Sequence, residues 1–256
     1  MTNQEAIKDL RYREAIKDCK SFADIIKWHE ENIPQGLATL CTNHGENILE
    51  NNTQLEAYMR DYGVEKHKPK LDFVLEKECK DTFANCKSIN VIDYGCGQGI
   101  GTGCLIDFLQ DKNLSISAKL IETSGAALDR CFINLLQILP DANFEDIEKK
   151  FADITEKDLE FEKTADLTVH IFSNVIDLDD SVFNIEKIAQ TVKNAISGQN
   201  LFICVSPYFK DKNRNKRLDD FASKFLTSNF EEFRISSDID DKNKIYGYVF
   251  EYLSKE

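Results

Sequence analysis

The chain has 256 residues, of which 45 are acidic and 32 basic, giving a formal net charge of -13. With 42% hydrophobic residues, that length supports one large domain or a domain with an appendage. The acidic balance argues against a dedicated nucleic-acid binder, because neutralising phosphates with Lys and Arg supplies much of such affinity.

Eight cysteines show no C-x-x-C pair and no ligand-like grouping with the four histidines. They read as reduced, mostly buried small hydrophobes of a cytoplasmic protein, and no metal site is expected. The first residues, MTNQEAIKDLRYREAIKD, alternate charge without an apolar targeting segment, and no later run has the length of a membrane span. A soluble chain without a membrane partner is therefore expected.

Residues 1–87 are read as a helical region. Apolar residues recur at helical spacing at Ile7, Leu10 and Ile16, then Phe22, Ile25 and Ile26, then Leu55, Tyr58, Met59 and Tyr62, then Leu71, Val74 and Leu75. Pro34 to Gly36 and Gly63 to Pro69 punctuate them.

From residue 88 to 256 strands and helices alternate, which implies a mostly parallel sheet covered on both faces. Strands are predicted near 88–94, 117–122, 149–152, 165–172, 200–205, 230–236 and 245–253. Helices are predicted near 101–110, 125–139, 156–161, 182–197 and 216–227. Only SDIDDKNK separates the last two strands, so they form an antiparallel hairpin.

Five of the eleven glycines fall at Gly95, Gly97, Gly99, Gly101 and Gly103, directly after the apolar run Ile89 to Ile92. A strand, a glycine loop and a helix in that order bring bare backbone N–H groups up to a bound molecule. No start within this loop fits the dinucleotide pattern G-x-G-x-x-G or A, and no lysine follows until Lys112, which removes the phosphate loop. What remains is D-x-G-x-G-x-G at Asp93, Gly95, Gly97 and Gly99.

With that motif, and with later segments in the same order and spacing over roughly 88–254, the chain resembles the class I S-adenosylmethionine-dependent methyltransferases. The resemblance implies a three-layer αβα Rossmann-like fold with seven strands in the order 3-2-1-4-5-7-6, strand seven antiparallel. It makes 1–87 a cap or substrate region and 88–256 the catalytic domain. Ligands of such a sheet lie at the carboxyl ends of the strands, where the order reverses.

The resemblance also assigns residues to S-adenosyl-L-methionine. Gly95, Gly97 and Gly99 would lie against the cofactor, with Cys96 and Gln98 lining the loop and Asp93 orienting the amine. Glu122, in IETSG, would accept from the ribose hydroxyls, with Thr123 beside it; the alternative is an acid favoured by the start of the next helix. Asp153 and Ile154, in KKFADITEKDL, would meet the adenine edge, the alternative being an N-cap. Ser173 and Asn174 stand at the fourth strand's exit, in SNVID, where many small-molecule methyltransferases carry S-N-V-L-H. Asp177 takes the place of that His, either as a base or as a helix start.

Tyr58, Tyr62, His67 and Lys70 lie just ahead of the glycine loop and either cover the cofactor or hold an acceptor. Asp177, Tyr62 and His67 are the catalytic candidates, while His170, inside a strand, is read as a core residue. SNVI lacks the prolines and aromatic with which base-methylating enzymes grip a flipped base. The methyl acceptor is thus expected to be a small molecule or protein rather than nucleic acid. The basic run Lys210, Lys212, Arg214, Lys216 and Arg217 keeps an RNA methyltransferase open as one alternative, and a non-catalytic cofactor-binding or scaffold protein is another.

Overall fold

The computed structural model describes residues 3–38, 48–209, 212–225, 233–237 and 245–254. Their centre is a seven-stranded sheet in the order β3-β2-β1-β4-β5-β7-β6. Its strands are β1 (Ser88–Tyr94), β2 (Ser115–Glu122), β3 (Asn143–Glu148), β4 (Leu167–Ser173), β5 (Gln199–Pro207), β6 (Phe233–Ser237) and β7 (Ile245–Leu253). The first five pair in parallel, and β7 runs antiparallel to both β5 and β6. This is the predicted order, and residues 238–244 of the expected hairpin lie outside the described residues.

β1 is buried along almost its whole length because both faces are covered by helices, which is why it reads as an unbroken apolar run. On one side lie α5 (Ile100–Phe108) and α6 (Gly125–Ile138); α7 (Glu156–Leu159), α8 (Ile185–Ala195) and α9 (Lys212–Phe225) make up the rest of that half of the chain. Tyr94, Phe172 and Phe202 pack with Phe183, Phe221 and Phe225 in one apolar cluster. Residues 226–227 of the last predicted helix lie outside the described residues.

The third strand differs from expectation. It is Asn143–Glu148, whereas Lys149 and Lys150 have no regular structure and lead into a short 3₁₀ turn, Phe151–Asp153. As an edge strand it has a single neighbour, β2, and only Phe144 and Ile147 are buried along it. Two apolar residues three apart carry no period-two signal, so NFEDIE does not look like a strand in sequence.

Ahead of the sheet lie α1 (Asn3–Ile16), α2 (Phe22–Asn32), α3 (Asn52–Tyr58) and α4 (Lys68–Glu78). Between α3 and α4 the helix widens to a π-helix over Met59–His67, where the Lys68 N–H reaches the Gly63 carbonyl five residues back. Tyr12, Ile16, Phe22, Ile25, Leu71, Val74 and Leu75 share one apolar cluster with Ile89, Val91 and Leu105, so the helical region and the sheet are packed together.

Two residues of α5 dock α2. A Cβ on Gly103 would sit 2.3 Å from the Phe22 ring, so only glycine lets that ring approach. The Asp107 carboxylate then accepts the Phe22 and Ala23 N–H groups at 2.7 Å each, satisfying two otherwise orphaned donors of the α2 N-terminus. Ser21 and Asp24 complete that start as a reciprocal capping box.

Candidate functional site

At the carboxyl ends of β1, β2 and β4 the structure has a cavity of about 420 Å³, within the range of small-molecule sites. The sheet order reverses between β1 and β4, so the cavity lies where a doubly wound sheet leaves an open crevice.

Glycine conformation shapes the first wall. Gly95, Gly97 and Gly99 have φ of 70°, 53° and 85°, a region that side chains disfavour. Gly97 has nothing within 4 Å of where a Cβ would stand, while a Cβ on Gly95 would meet Val175 at 2.5 Å. Gly95 and Gly97 border the cavity together with Cys96 and Gln98. Gly99 does not; it turns the chain into α5, its missing Cβ leaving room for Cys131.

Asp93 ends β1 at the cavity wall and is buried. Its carboxylate accepts from the Thr102 N–H and hydroxyl at 3.0 and 2.8 Å, fixing it at the start of α5. Burial pushes its pKa up to about 6, against the opposing pull of those bonds. A Cβ on Gly101 would lie 2.8 Å from this carboxylate, which explains the glycine there.

Glu122 ends β2 and accepts three backbone N–H groups: Gly97 at 2.9 Å, Thr123 at 2.8 Å and Ser124 at 3.0 Å. One acid thereby joins the glycine loop to the start of α6. Ser124 caps α6, and its hydroxyl also donates to the Leu49 carbonyl.

That bond belongs to a second wall supplied by the helical region. Ile48, Leu49, Tyr58 and His67 all border the cavity. Gln98 turns from the loop to donate to the Leu55 carbonyl at 2.8 Å, and its own carbonyl accepts from Asn134, which accepts from the Tyr12 hydroxyl at 2.7 Å. The side chain of Gln98 therefore fastens segment 48–58 over the glycine loop.

The third wall is the stretch after β3. Lys149, Lys150, Phe151 and Ala152 border the cavity, and Asp153 and Ile154 do not. Those two face a separate, shallower hollow with Thr155 and Glu156. The displacement follows from β3 ending earlier than predicted: the turn carries Phe151 inward.

The fourth wall is the exit of β4, with Ser173, Asn174 and Val175. Asn174 is the one non-glycine residue of positive φ among the described residues, at 59°. Such a conformation persists where the surroundings enforce it, and is concentrated at functional sites. Its side chain donates to Ser173 Oγ at 2.9 Å and accepts from Lys70 Nζ at 3.3 Å.

Of the three catalytic candidates only His67 reaches the cavity. Its imidazole makes ring contacts with Tyr58 and Tyr62, at 5.8 and 6.1 Å, and burial holds its pKa well below the usual value, so it is neutral at pH 7. Tyr62 lies behind, its ring tilted against that of Tyr58 at 5.1 Å. Asp177 is buried and accepts from the Ser206 hydroxyl at 2.7 Å, away from the wall. His170 is a core residue: Tyr94 donates to its Nδ1 at 3.2 Å and its Nε2 donates to Asn200 at 3.1 Å.

The basic run is partly committed elsewhere. Arg217 donates to the Ile176 and Phe183 carbonyls and pairs with Asp180 at 2.8 Å, while Lys216 pairs with Asp220. Lys210 lies outside the described residues, as does the side chain of Lys212. Among the described residues no cluster of His, Cys, Asp and Glu has metal-binding geometry, and no helix is long and apolar enough to cross a membrane.

The fold is that of the class I S-adenosylmethionine-dependent methyltransferases. A protein described as a member of that class from Listeria monocytogenes aligns over 93% of this chain and 70% of its own, with 9% identity and a TM-score of 0.52. The S-adenosylhomocysteine-bound Podospora anserina methyltransferase PaMTH1 aligns over 100% of this chain and 98% of its own, with 13% identity and a TM-score of 0.44. A protein described as an rRNA methylase from Clostridium thermocellum aligns over 70% of this chain and 96% of its own, with 12% identity and a TM-score of 0.48. No protein-family model and no curated protein matches the chain in sequence.

Proposed function

We propose that this protein is an S-adenosylmethionine-dependent methyltransferase acting on a small molecule or a protein group rather than on nucleic acid. The observation that carries this reading is the junction of Gly97 and Glu122. A left-handed glycine with open space at its Cβ position and an acid gathering three loop amides form one wall of the cavity.

The residues present fit that cofactor. Asp93 stands where it can face the amine, Glu122 where it can face ribose hydroxyls, and the ring of Phe151 with Val175 offers an apolar surface to a base. Asp153 and Ile154 are replaced in that last role by the residues that precede them.

When bound, S-adenosylmethionine supplies a methyl group already activated by its sulfonium. The protein's task is then alignment and exclusion of water, and a base matters only for an acceptor protonated at neutral pH. His67 offers a neutral imidazole at the cavity wall, without a hydrogen bond to any of the described residues, and so can accept a hydrogen bond from a bound hydroxyl or amine. Segment 48–58, held by Gln98 and Ser124, covers the site.

Calorimetric titration with S-adenosylmethionine and S-adenosylhomocysteine is the direct test. Binding in the micromolar range is expected; no heat and no thermal shift with either compound would refute the reading. Label from methyl-tritiated cofactor, followed into small molecules, protein and RNA of a cell extract, then separates enzyme from binding module and one acceptor class from another.

A further inference from the structure

A hollow of about 460 Å³ lies between three elements of the helical region, bordered by Arg11, Tyr12 and Ala15 of α1, Trp28 of α2, and Thr53 and Glu56 of α3. None of these residues borders the cavity beside the glycine loop. Two opposite charges stand in the hollow unpaired. Neither Arg11 nor Glu56 has a hydrogen bond or ion pair with the other or with any other described residue, although Glu56 is half-buried. Elsewhere in the same region opposite charges do pair, Arg60 with Glu65 at 3.0 Å and Lys68 with Asp72 at 2.5 Å.

The surroundings narrow what completes those two groups. Glu56 lies near enough to Tyr12 to act electrostatically on its hydroxyl. Arg130, 1% exposed, stacks on the Tyr12 ring at 3.5 Å, and none of its three guanidinium nitrogens has a hydrogen-bond partner. It does not border the hollow, so it adds positive field there rather than contact. The half-buried Trp28 meets Tyr12 in a T-shaped pair, ring centroids 5.7 Å apart and planes at 78°, and that aromatic corner suits an apolar group. A ligand of single charge would leave either Arg11 or Glu56 unanswered. One carrying a carboxylate, an ammonium and an apolar body answers all three features.

The position of the hollow gives its occupant a consequence. Tyr12 donates to Asn134 at 2.7 Å, Asn134 donates to the Gln98 carbonyl at 3.0 Å, and Gln98 donates to the Leu55 carbonyl at 2.8 Å. Leu55 lies in α3 between Thr53 and Glu56, and Tyr58 of the same helix borders the glycine-loop cavity. A ligand spanning Arg11 and Glu56 therefore braces the helix that Gln98 holds from the other side.

We propose that this hollow is a ligand site of its own, for a free α-amino acid with an apolar side chain: carboxylate on Arg11, ammonium on Glu56, side chain against Trp28, and α3 braced when it is filled. The site stands apart from the methyltransferase reading, because none of its residues belongs to the glycine-loop cavity.

Trp28 is the only tryptophan of the chain, so its emission reports on the hollow directly. L-phenylalanine, L-leucine and L-isoleucine are titrated into the protein without cofactor. Each is compared with its primary amide, which lacks the carboxylate, and its N-acetyl derivative, which lacks the ammonium. At least one amino acid is expected to change Trp28 emission saturably below about 10 mM, and to bind about tenfold or more tightly than either of its derivatives. Arg11→Gln and Glu56→Gln, which remove no hydrogen bond or ion pair of the described fold, should each weaken binding about tenfold or more. Hydrogen exchange of the α3 amides should slow when the wild-type site is saturated. No saturable change with any of the three, equal binding of either derivative, affinity kept in both variants, or unaltered α3 exchange at saturation would overturn the proposal. If one variant fails to fold, the other variant and the two derivatives still decide. Failure of S-adenosylhomocysteine to bind counts against the cofactor reading alone.

Discussion

At the scale of single residues, Gly97 separates backbone strain from ligand space. Gly97→Ala places a Cβ in a left-handed conformation, costing about 1 kcal/mol, with no protein atom to clash with. Gly198, at φ 66° with nothing near its Cβ position either, suffers the same strain away from the cavity. Gly198→Ala should therefore lower Tm about as much as Gly97→Ala while leaving S-adenosylhomocysteine affinity intact. Gly97→Ala should weaken that affinity about tenfold or more, read by calorimetry. Glu122→Gln tests the same wall from the other side. It replaces an acceptor of three N–H groups with a side chain half of which donates, so affinity should fall at least as far, and equal affinity would place the pocket elsewhere. The acid at the end of the second strand was legible because a strand followed by E-T-S-G is a local pattern. Which residues after the third strand border the cavity was not legible, because where β3 ends depends on pairing with β2.

At the scale of elements, the helical region is fastened to the sheet by a few specific devices. Gly103→Ala forces the Phe22 ring away from α5, an overpacking cost of about 1–3 kcal/mol, and in a chain of this size should lower Tm by roughly 2–4 °C per kcal/mol. An unchanged Tm would mean that α2 does not dock there. Gln98→Ala releases the Leu55 carbonyl and so loosens segment 48–58 without touching the sheet. Amide hydrogen exchange of that segment should speed up in the variant and slow down when S-adenosylhomocysteine binds wild type. If neither change appears, the segment is not a cover for the site. Helical spacing in sequence exposed α2, α3 and α4. The widened turn at Met59–His67, which presents His67 to the cavity with Tyr62 behind it and packs Gly63 closely on Met59, has no period of its own.

At the scale of the whole molecule, buried titratable groups set the pH response. His29 and His170 are both pushed down to about 4 by burial, His29 further by Arg130. Because their folded values lie below the unfolded one, the stability they contribute is complete above about pH 6.5 and is lost as pH falls toward 4. Asp93 acts in the opposite sense: its raised value makes the folded state take up a proton more readily, so its cost grows as pH rises from about 4 through 6. His67 acts in the same sense as His29 and His170, so three histidines outweigh one acid, and the urea midpoint should fall between pH 7 and pH 5. His170→Gln, less stable at pH 7 for want of its two bonds, should show a shallower fall; an equal slope would place the acid sensitivity in other groups.

The sheet order came from the family resemblance; the sequence by itself determined the alternation of strands and helices, the glycine loop, the two acids at the ends of β1 and β2 and the closing pair of strands. These follow from what is contiguous in the chain: a buried strand, a run of glycines, a capped helix, a closing pair of strands without a helix between them. Tertiary structure decided which side chains share the cavity. It carried Phe151 inward and Asp153 away, turned Gln98 into a fastening for the cover, and brought Lys70 to Asn174 across 104 positions of chain. Local patterns record how a segment folds against solvent and core, but the meeting of distant side chains is fixed only when helices and sheet pack, and no spacing in the sequence encodes it.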